Sequence, residues 1–161
     1  MSVPEPVPAP HGSADPDVEA RVRDLFERQR LLGTVGARLG EVAPGSVEIE
    51  LIPAVGLTQQ HGYVHAGAVT SIVDTACGLA AYSLMPPGSG VLSVEFKVNL
   101  LAPAAGDRLV ARGRVVRAGR TLTVTQGDVV ALTAGEEGLV ATMVATMMNV
   151  GSRRSGGESG P

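Results

Sequence analysis

One carboxylate stands in the middle of a run of small apolar residues. The run is His61-Gly62-Tyr63-Val64-His65-Ala66-Gly67-Ala68-Val69-Thr70-Ser71-Ile72-Val73-Asp74-Thr75-Ala76-Cys77-Gly78-Leu79-Ala80-Ala81. Val69, Ile72, Val73, Ala76, Leu79 and Ala80 recur at helical spacing and cover a broad face, while small residues fill much of the remainder. A helix that is apolar nearly all round is buried nearly all round. The spacing predicts a helix over 66–84, ended by Pro86-Pro87-Gly88. Any fold of this chain must wrap around it. Asp74 has no basic neighbour in sequence, and a charge in such a helix is costly unless it is paired or put to work.

The flanking segments supply the wrapping. Asp15 is a candidate N-cap, with Pro16 in the first turn of a helix that runs to Leu32 and stops at Gly33. Two strands, 35–42 and 47–53, flank the turn Ala43-Pro44-Gly45-Ser46. Four more are expected at 91–101, 108–117, 121–133 and 139–150, with hairpin turns at Ala118-Gly119-Arg120 and Gly135-Glu136-Glu137-Gly138. In the first of these, Val94, Phe96, Val98 and Leu100 alternate with Ser93, Glu95, Lys97 and Asn99, which predicts one face on a core. The economical architecture is α+β: an antiparallel sheet wrapped around one long central helix.

The totals exclude several classes. At 161 residues one domain is expected, over 15–150, between a Pro-rich polar segment at 1–14 and a polar tail at 151–161, both expected to be disordered. The net charge is −3, and once the two ends are set aside acids and bases balance, so nucleic-acid binding by general electrostatics is not expected. The single cysteine, Cys77, allows neither an intramolecular disulfide nor a cysteine-based zinc site, and no metal or other cofactor is expected. The N-terminus has no signal-peptide pattern, and the Ala- and Gly-rich run carrying Asp74 reads as a buried helix rather than a membrane span. A cytoplasmic protein without membrane association is expected.

The order of elements and the motif together resemble the hotdog-fold acyl-CoA thioesterases of the phenylacetate-pathway (PaaI-like) type, over about residues 20–150. Members carry Asn, then Gly-x-(apolar)-His-Gly-Gly, then an acid nine positions after that His. Here Gly62-Tyr63-Val64-His65-Ala66-Gly67 matches the glycine-histidine core and Asp74 stands nine after His65. Val91-Leu92-Ser93-Val94-Glu95-Phe96 and Arg117-Ala118-Gly119-Arg120-Thr121-Leu122-Thr123-Val124 match the later strand and hairpin.

The resemblance implies a thioester hydrolase in which Asp74 is the catalytic carboxylate, as general base or as nucleophile. The backbone N–H of Ala66, at the His65-Ala66-Gly67 helix start, would polarise the carbonyl. Gln59 replaces the family's Asn, and Ser93 would hold the attacking water. It also implies an acyl-CoA or aryl-CoA substrate and a homodimer or homotetramer, with Asp74 of one subunit facing the helix start of the other. Physical reasoning agrees: a thioester needs an oxyanion donor and a base, and a helix start offers free N–H groups and partial positive charge.

Arg117 and Arg120 match a region where relatives hold the nucleotide of coenzyme A. Arg108, Arg112 and Arg114 share one strand face, as a phosphate clamp or as a solvated surface. Ala80, Ala81, Tyr82, Leu84 and Met85 are candidate lining for an apolar acyl group. Cys77 reads as an inert buried thiol, and Ser71 lacks a nucleophile elbow. Two other functions fit the same pattern: an acyl-thioester dehydratase or hydratase, and a non-catalytic acyl-CoA-binding module.

Overall fold

The central helix is where its apolar spacing predicts it. A computed structural model describes residues 16–151, and in it helix α3 spans Ala66–Ser83. Ile72, Val73, Ala76, Cys77 and Ala80 are fully buried along it. Burial of an Ile or Leu side chain contributes about 1.5–3 kcal/mol, so this helix alone anchors much of the core. Before it come α1 (Pro16–Glu27), α2 (Arg30–Val35), β1 (Arg38–Ala43) and β2 (Ser46–Leu51). After it come β3 (Gly90–Leu100), β4 (Arg108–Ala118), β5 (Leu122–Thr133) and β6 (Glu136–Val150). All six strands form one antiparallel sheet in the order β1-β2-β4-β5-β6-β3, with α3 packed across it. This is the expected α+β hotdog architecture. Among the described residues no helix is long and apolar enough to cross a membrane.

What lets α3 lie so close to the sheet is a pair of glycines. Gly113 on β4 and Gly127 on β5 are direct register partners beneath the middle of the helix. A Cβ at Gly113 would sit 2.3 Å from the Ala76 carbonyl carbon, and one at Gly127 only 2.5 Å from Val73 Cγ2. Neither glycine needs a special φ; each is there because helix backbone and side chains occupy the space. Gly113→Ala should therefore lower stability by about 1–3 kcal/mol or more, through overpacking against a backbone that cannot yield. Gly138→Ala is the control, since a Cβ there meets nothing within 4 Å. Urea denaturation of both variants checks this; equal stability would mean that the sheet moves away at little cost.

The turn at Pro44-Gly45 forms as expected, with Gly45 at φ +78°. The Gly45 N–H donates to Ser83 Oγ at 2.7 Å, tying this hairpin to the end of α3.

Three local expectations need correction. The first helix is two helices, and its stop is Gly36 in the left-handed conformation (φ 74°), with Gly33 inside α2. The short break turns the chain so that Val22 and Leu32 both reach the core while apolar periodicity persists across it. The last hairpin turns at Ala134-Gly135, both with positive φ, so β6 starts at Glu136 rather than 139. A two-residue turn of this hand matches the twist of the flanking strands.

The third correction concerns β3, which is an edge strand. A register irregularity between Ser93 and Glu95 changes which alternate residues face α3. Val91 and Val98 pack on the core, but Leu92, Val94, Phe96 and Leu100 remain 54, 54, 46 and 53% exposed. The expectations for 1–14, for Asp15 as a cap and for the tail beyond Gly151 lie outside the described residues.

Ala80 and Tyr82, expected as substrate lining, have these surroundings in the protomer. Both are buried in the core cluster, and the Tyr82 ring lies beneath the Arg21 guanidinium at 5.5 Å.

Candidate active site

The start of α3 is held from outside the helix. The Val64 N–H donates to the Ala104 carbonyl at 2.9 Å and the His65 N–H to the Leu57 carbonyl at 2.8 Å. His65 is then the N-cap: its Nδ1 accepts from the Gly67 N–H at 2.8 Å. An accepting Nδ1 makes the imidazole neutral with its proton on Nε2. A Cβ at Gly67 would come within 3.1 Å of that Nδ1, a close contact that the ring would have to shift by a few tenths of an ångström to relieve.

The first-turn amides of a helix have no partner inside the helix. Here Gly67 is satisfied by His65, and Ala68 and Val69 both donate to the His65 carbonyl. The Ala66 N–H has no acceptor among the described residues. It borders a cavity of about 380 Å³ with Gln59, His65, Leu100 and Pro103 on its walls. Gln59 Oε1 accepts from the His61 N–H, which leaves its NH2 group as a free donor at this cavity. The apolar helix thus begins with an unused amide at the positive end of its dipole.

Asp74 lies two turns further along, half-buried, on a second cavity of about 270 Å³. Ser93 Oγ donates to Asp74 Oδ1 at 2.8 Å. This contact exists because the irregularity in β3 turns Ser93 toward the helix. Burial raises the Asp74 pKa above its ordinary 3.8, and the Ser93 hydrogen bond offsets part of that rise. No basic side chain pairs with it among the described residues. An unpaired, desolvated carboxylate with a hydroxyl beside it can accept a proton from water.

Cys77, one turn on, is buried and has its thiol pushed up to about 12, first by burial; it is no nucleophile.

Ala66 and Asp74 are eight residues apart on one helix, about 12 Å along its axis. A carbonyl bound by the Ala66 N–H of one protomer is therefore out of reach of that protomer's own Asp74. Ala66 and Asp74 border separate cavities of the chain.

The arginines divide into two groups. Arg108, Arg112 and Arg114 share the outer face of the sheet, away from α3, and each is engaged. Arg108 pairs with Glu50 at 2.8 Å and Arg112 with Glu48 at 2.8 Å and Glu137 at 2.6 Å. Arg114 donates to Gln126 at 2.7 Å. Of the two readings of this row, the solvated face fits and the phosphate clamp does not. The side chains of Arg117 and Arg120 are exposed and make no ion pair or hydrogen bond among the described residues. Arg120 borders a further cavity of about 270 Å³ with Ala81, Leu84 and Met85, at the other end of α3 from Ala66.

Sequence reasoning did not single out Gln29 or Gly78, which also line the Asp74 cavity. Gly78 follows Asp74 by one helical turn and was visible as the lone glycine of the helix interior. Gln29 carried no signal, since it comes from the α1–α2 junction.

Comparison with known proteins bears on the fold and the family. Residues 61–138 match the model of the thioesterase superfamily. Human acyl-coenzyme A thioesterase 13 is 30% identical over 101 residues, covering 62% of this chain and 70% of that protein. The crystal structure of a thioesterase family protein from Silicibacter pomeroyi superposes with a TM-score of 0.82 at 48% identity, covering 84% of this chain and 99% of that one. The PaaI protein of E. coli, from the phenylacetic acid degradation operon, shares the fold: TM-score 0.78 at 20% identity, with 87% and 98% coverage. The chain belongs to the thioesterase superfamily and is a hotdog-fold thioester hydrolase.

Proposed function

We propose that the protein hydrolyses acyl-CoA or aryl-CoA thioesters to the free acid and CoA, in a site shared by two subunits. The observation that carries this reading is the pair formed by the unused Ala66 N–H and the unpaired Asp74, about 12 Å apart on one helix. Each needs the other across a thioester, and a second copy supplies it.

The exposed edge strand β3 supports a dimer. Its unpaired backbone edge and its exposed Leu92, Val94, Phe96 and Leu100 are a liability unless covered. Pairing with β3 of a second protomer would bury them and bring Asp74 toward the helix start of that protomer. Pairing of two such dimers would give the homotetramer.

In the mechanism, Ser93 and Asp74 hold a water. The ionised Asp74 takes its proton as the oxygen attacks the carbonyl carbon. The oxyanion is met by the Ala66 N–H of the partner subunit, with Gln59 donating nearby and His65 and Gly67 fixing the turn. Collapse expels the CoA sulfur, which receives the proton from Asp74. Direct attack by the same carboxylate would give a mixed anhydride instead; single turnover in H2(18)O, with label sought in Asp74, separates the two routes. Acyl-CoA chemistry of this kind implies a cytoplasmic enzyme.

The test is CoA release from a panel of aliphatic and aromatic acyl-CoAs. Turnover supports the reading. Saturable binding without turnover on any thioester would make the protein an acyl-CoA-binding module.

Arg117 and Arg120, exposed and unpaired, are proposed to hold the phosphates of CoA. Arg117→Ala with Arg120→Ala should raise KM for an acyl-CoA roughly tenfold or more, in line with loss of charge-assisted hydrogen bonds at about 1.5–3 kcal/mol each. KM for the matching acyl-pantetheine, which lacks the nucleotide, should not change. Equal losses on both substrates would rule out the clamp.

A further inference from the structure

Asn149 stands at the end of β6, on the same strand face as the buried Met143, Ala145 and Met147. Its Oδ1 is buried and accepts no hydrogen bond, the one such side-chain atom among the described residues. A buried polar atom left unpaired is costly, and native proteins keep few of them. The Asn149 N–H, by contrast, is satisfied: it donates to the Thr121 carbonyl at 2.8 Å. That bond ties the end of β6 to the β4–β5 hairpin, so Asn149 and Arg120 hold a fixed relation.

Both residues border one cavity of about 270 Å³. Ala81, Leu84 and Met85, from the end of α3 and the loop after it, make its wall apolar, and Thr123 adds a hydroxyl. No carboxylate borders it among the described residues, and the exposed Arg120 is its one cation. An apolar cavity with one unmet amide and a cation at its rim fits a heteroaromatic ring that carries an anion.

We propose that this cavity is a base-reading site for an adenine nucleotide. Asn149 pairs with the edge of the adenine ring, and Arg120 holds a phosphate. Adenine presents an amino donor beside a ring-nitrogen acceptor, the pair that an Asn side chain matches. The carboxamide meets it by turning about its last bond, whose torsion is soft. Met85 offers its sulfur to the ring, and a guanidinium binds phosphate through charge-assisted hydrogen bonds. The volume lies below the range of about 300–1,000 Å³ typical of drug-sized ligands, so it takes the base and leaves ribose and phosphates outside. Two sources carry this chemistry: the nucleotide end of a CoA thioester and a free adenine nucleotide. The first rests on the thioesterase reading; the binding itself does not.

The experiment measures the affinity of the full chain for ADP and for the purine riboside diphosphate that lacks only the exocyclic amino group. Wild type should bind ADP roughly two- to tenfold more tightly, the value of one neutral hydrogen bond. Asn149→Leu should level the two, with a Tm equal to or above that of wild type because the unmet acceptor is gone. Ala118→Trp, from an exposed hairpin position on the cavity rim, should weaken both nucleotides roughly tenfold or more by filling the space, and it decides the matter if Asn149→Leu does not fold. No binding of ADP, a preference for ADP that survives Asn149→Leu, or affinities untouched by Ala118→Trp overturns the proposal. The source is read from kcat/KM on benzoyl-CoA and benzoyl-pantetheine. A loss in Asn149→Leu confined to the CoA substrate assigns the site to the substrate's own nucleotide. Unchanged rates on both, with ADP affinity lowered, assign it to a free nucleotide. No turnover of either thioester by wild type counts against the thioesterase reading and leaves the ADP result standing.

Discussion

Asp74→Asn is expected to lower kcat/KM on a preferred thioester by about 10²–10⁴-fold, the usual contribution of a positioned general base. Asn keeps the shape of the side chain and an oxygen for the Ser93 hydroxyl, which now donates to Asp74 Oδ1 at 2.8 Å. The loss should therefore be one of chemistry and not of fold. The pH dependence carries a second sign. Burial raises the Asp74 pKa above 3.8, so the wild-type rate should fall with acid at a midpoint above the ordinary aspartate value, where the base becomes protonated.

Stability moves the other way. The native state holds this proton more tightly than the unfolded chain, so the contribution of Asp74 is present at low pH. It is lost as pH rises from 3.8 through the folded value. The Asn variant escapes that loss, and its Tm at neutral pH should equal or exceed that of wild type. A variant that is unstable, or one that keeps its rate, would remove Asp74 from the mechanism.

Ala66→Pro should cost about 10²–10³-fold in kcat, the effect of deleting one oxyanion donor. Proline is well tolerated at the first position of a helix, where the N–H has no helical acceptor in any case. His65 already has φ −61° and ψ 138°, the conformation a residue before proline requires. The substitution thus removes one hydrogen-bond donor and leaves α3 its start. Because the two groups are proposed to meet across a subunit interface, the variants should complement each other. Mixed dimers of Asp74→Asn with Ala66→Pro contain one site with both groups intact, so mixing two inactive preparations should restore part of the activity. No recovery on exchange of subunits would place both groups in one protomer's site, against the 12 Å their helical spacing implies.

Much of this arrangement is legible residue by residue. The apolar spacing from Val69 to Ala80 specifies a buried helix, and Pro86-Pro87-Gly88 specifies its end within a few residues. His65 and Asp74 are read from the same stretch because nine helical residues keep a fixed relation. The strand pattern in β3 was also legible, but its faces were not. Alternation does not reveal an irregularity between Ser93 and Glu95, and that irregularity is what turns Ser93 to Asp74. Ala80 and Tyr82 sit at helical positions as apolar as any lining residue, and only the neighbours packed on them show that they are core.

The sequence alone determined the central helix, the carboxylate within it, the glycine-histidine start and the order of the strands. These follow from local periodicity and backbone stereochemistry, which act over a few residues. Tertiary structure decided which glycines are forced by packing, as at Gly113 and Gly127, and which are not, as at Gly78. It decided that Arg108 and Arg112 are spent on Glu50, Glu48 and Glu137, while the side chains of Arg117 and Arg120 have no partner among the described residues. It also left the Ala66 N–H without an acceptor among the described residues. Each of these depends on strand register and on residues distant in the chain, and local spacing holds no record of them.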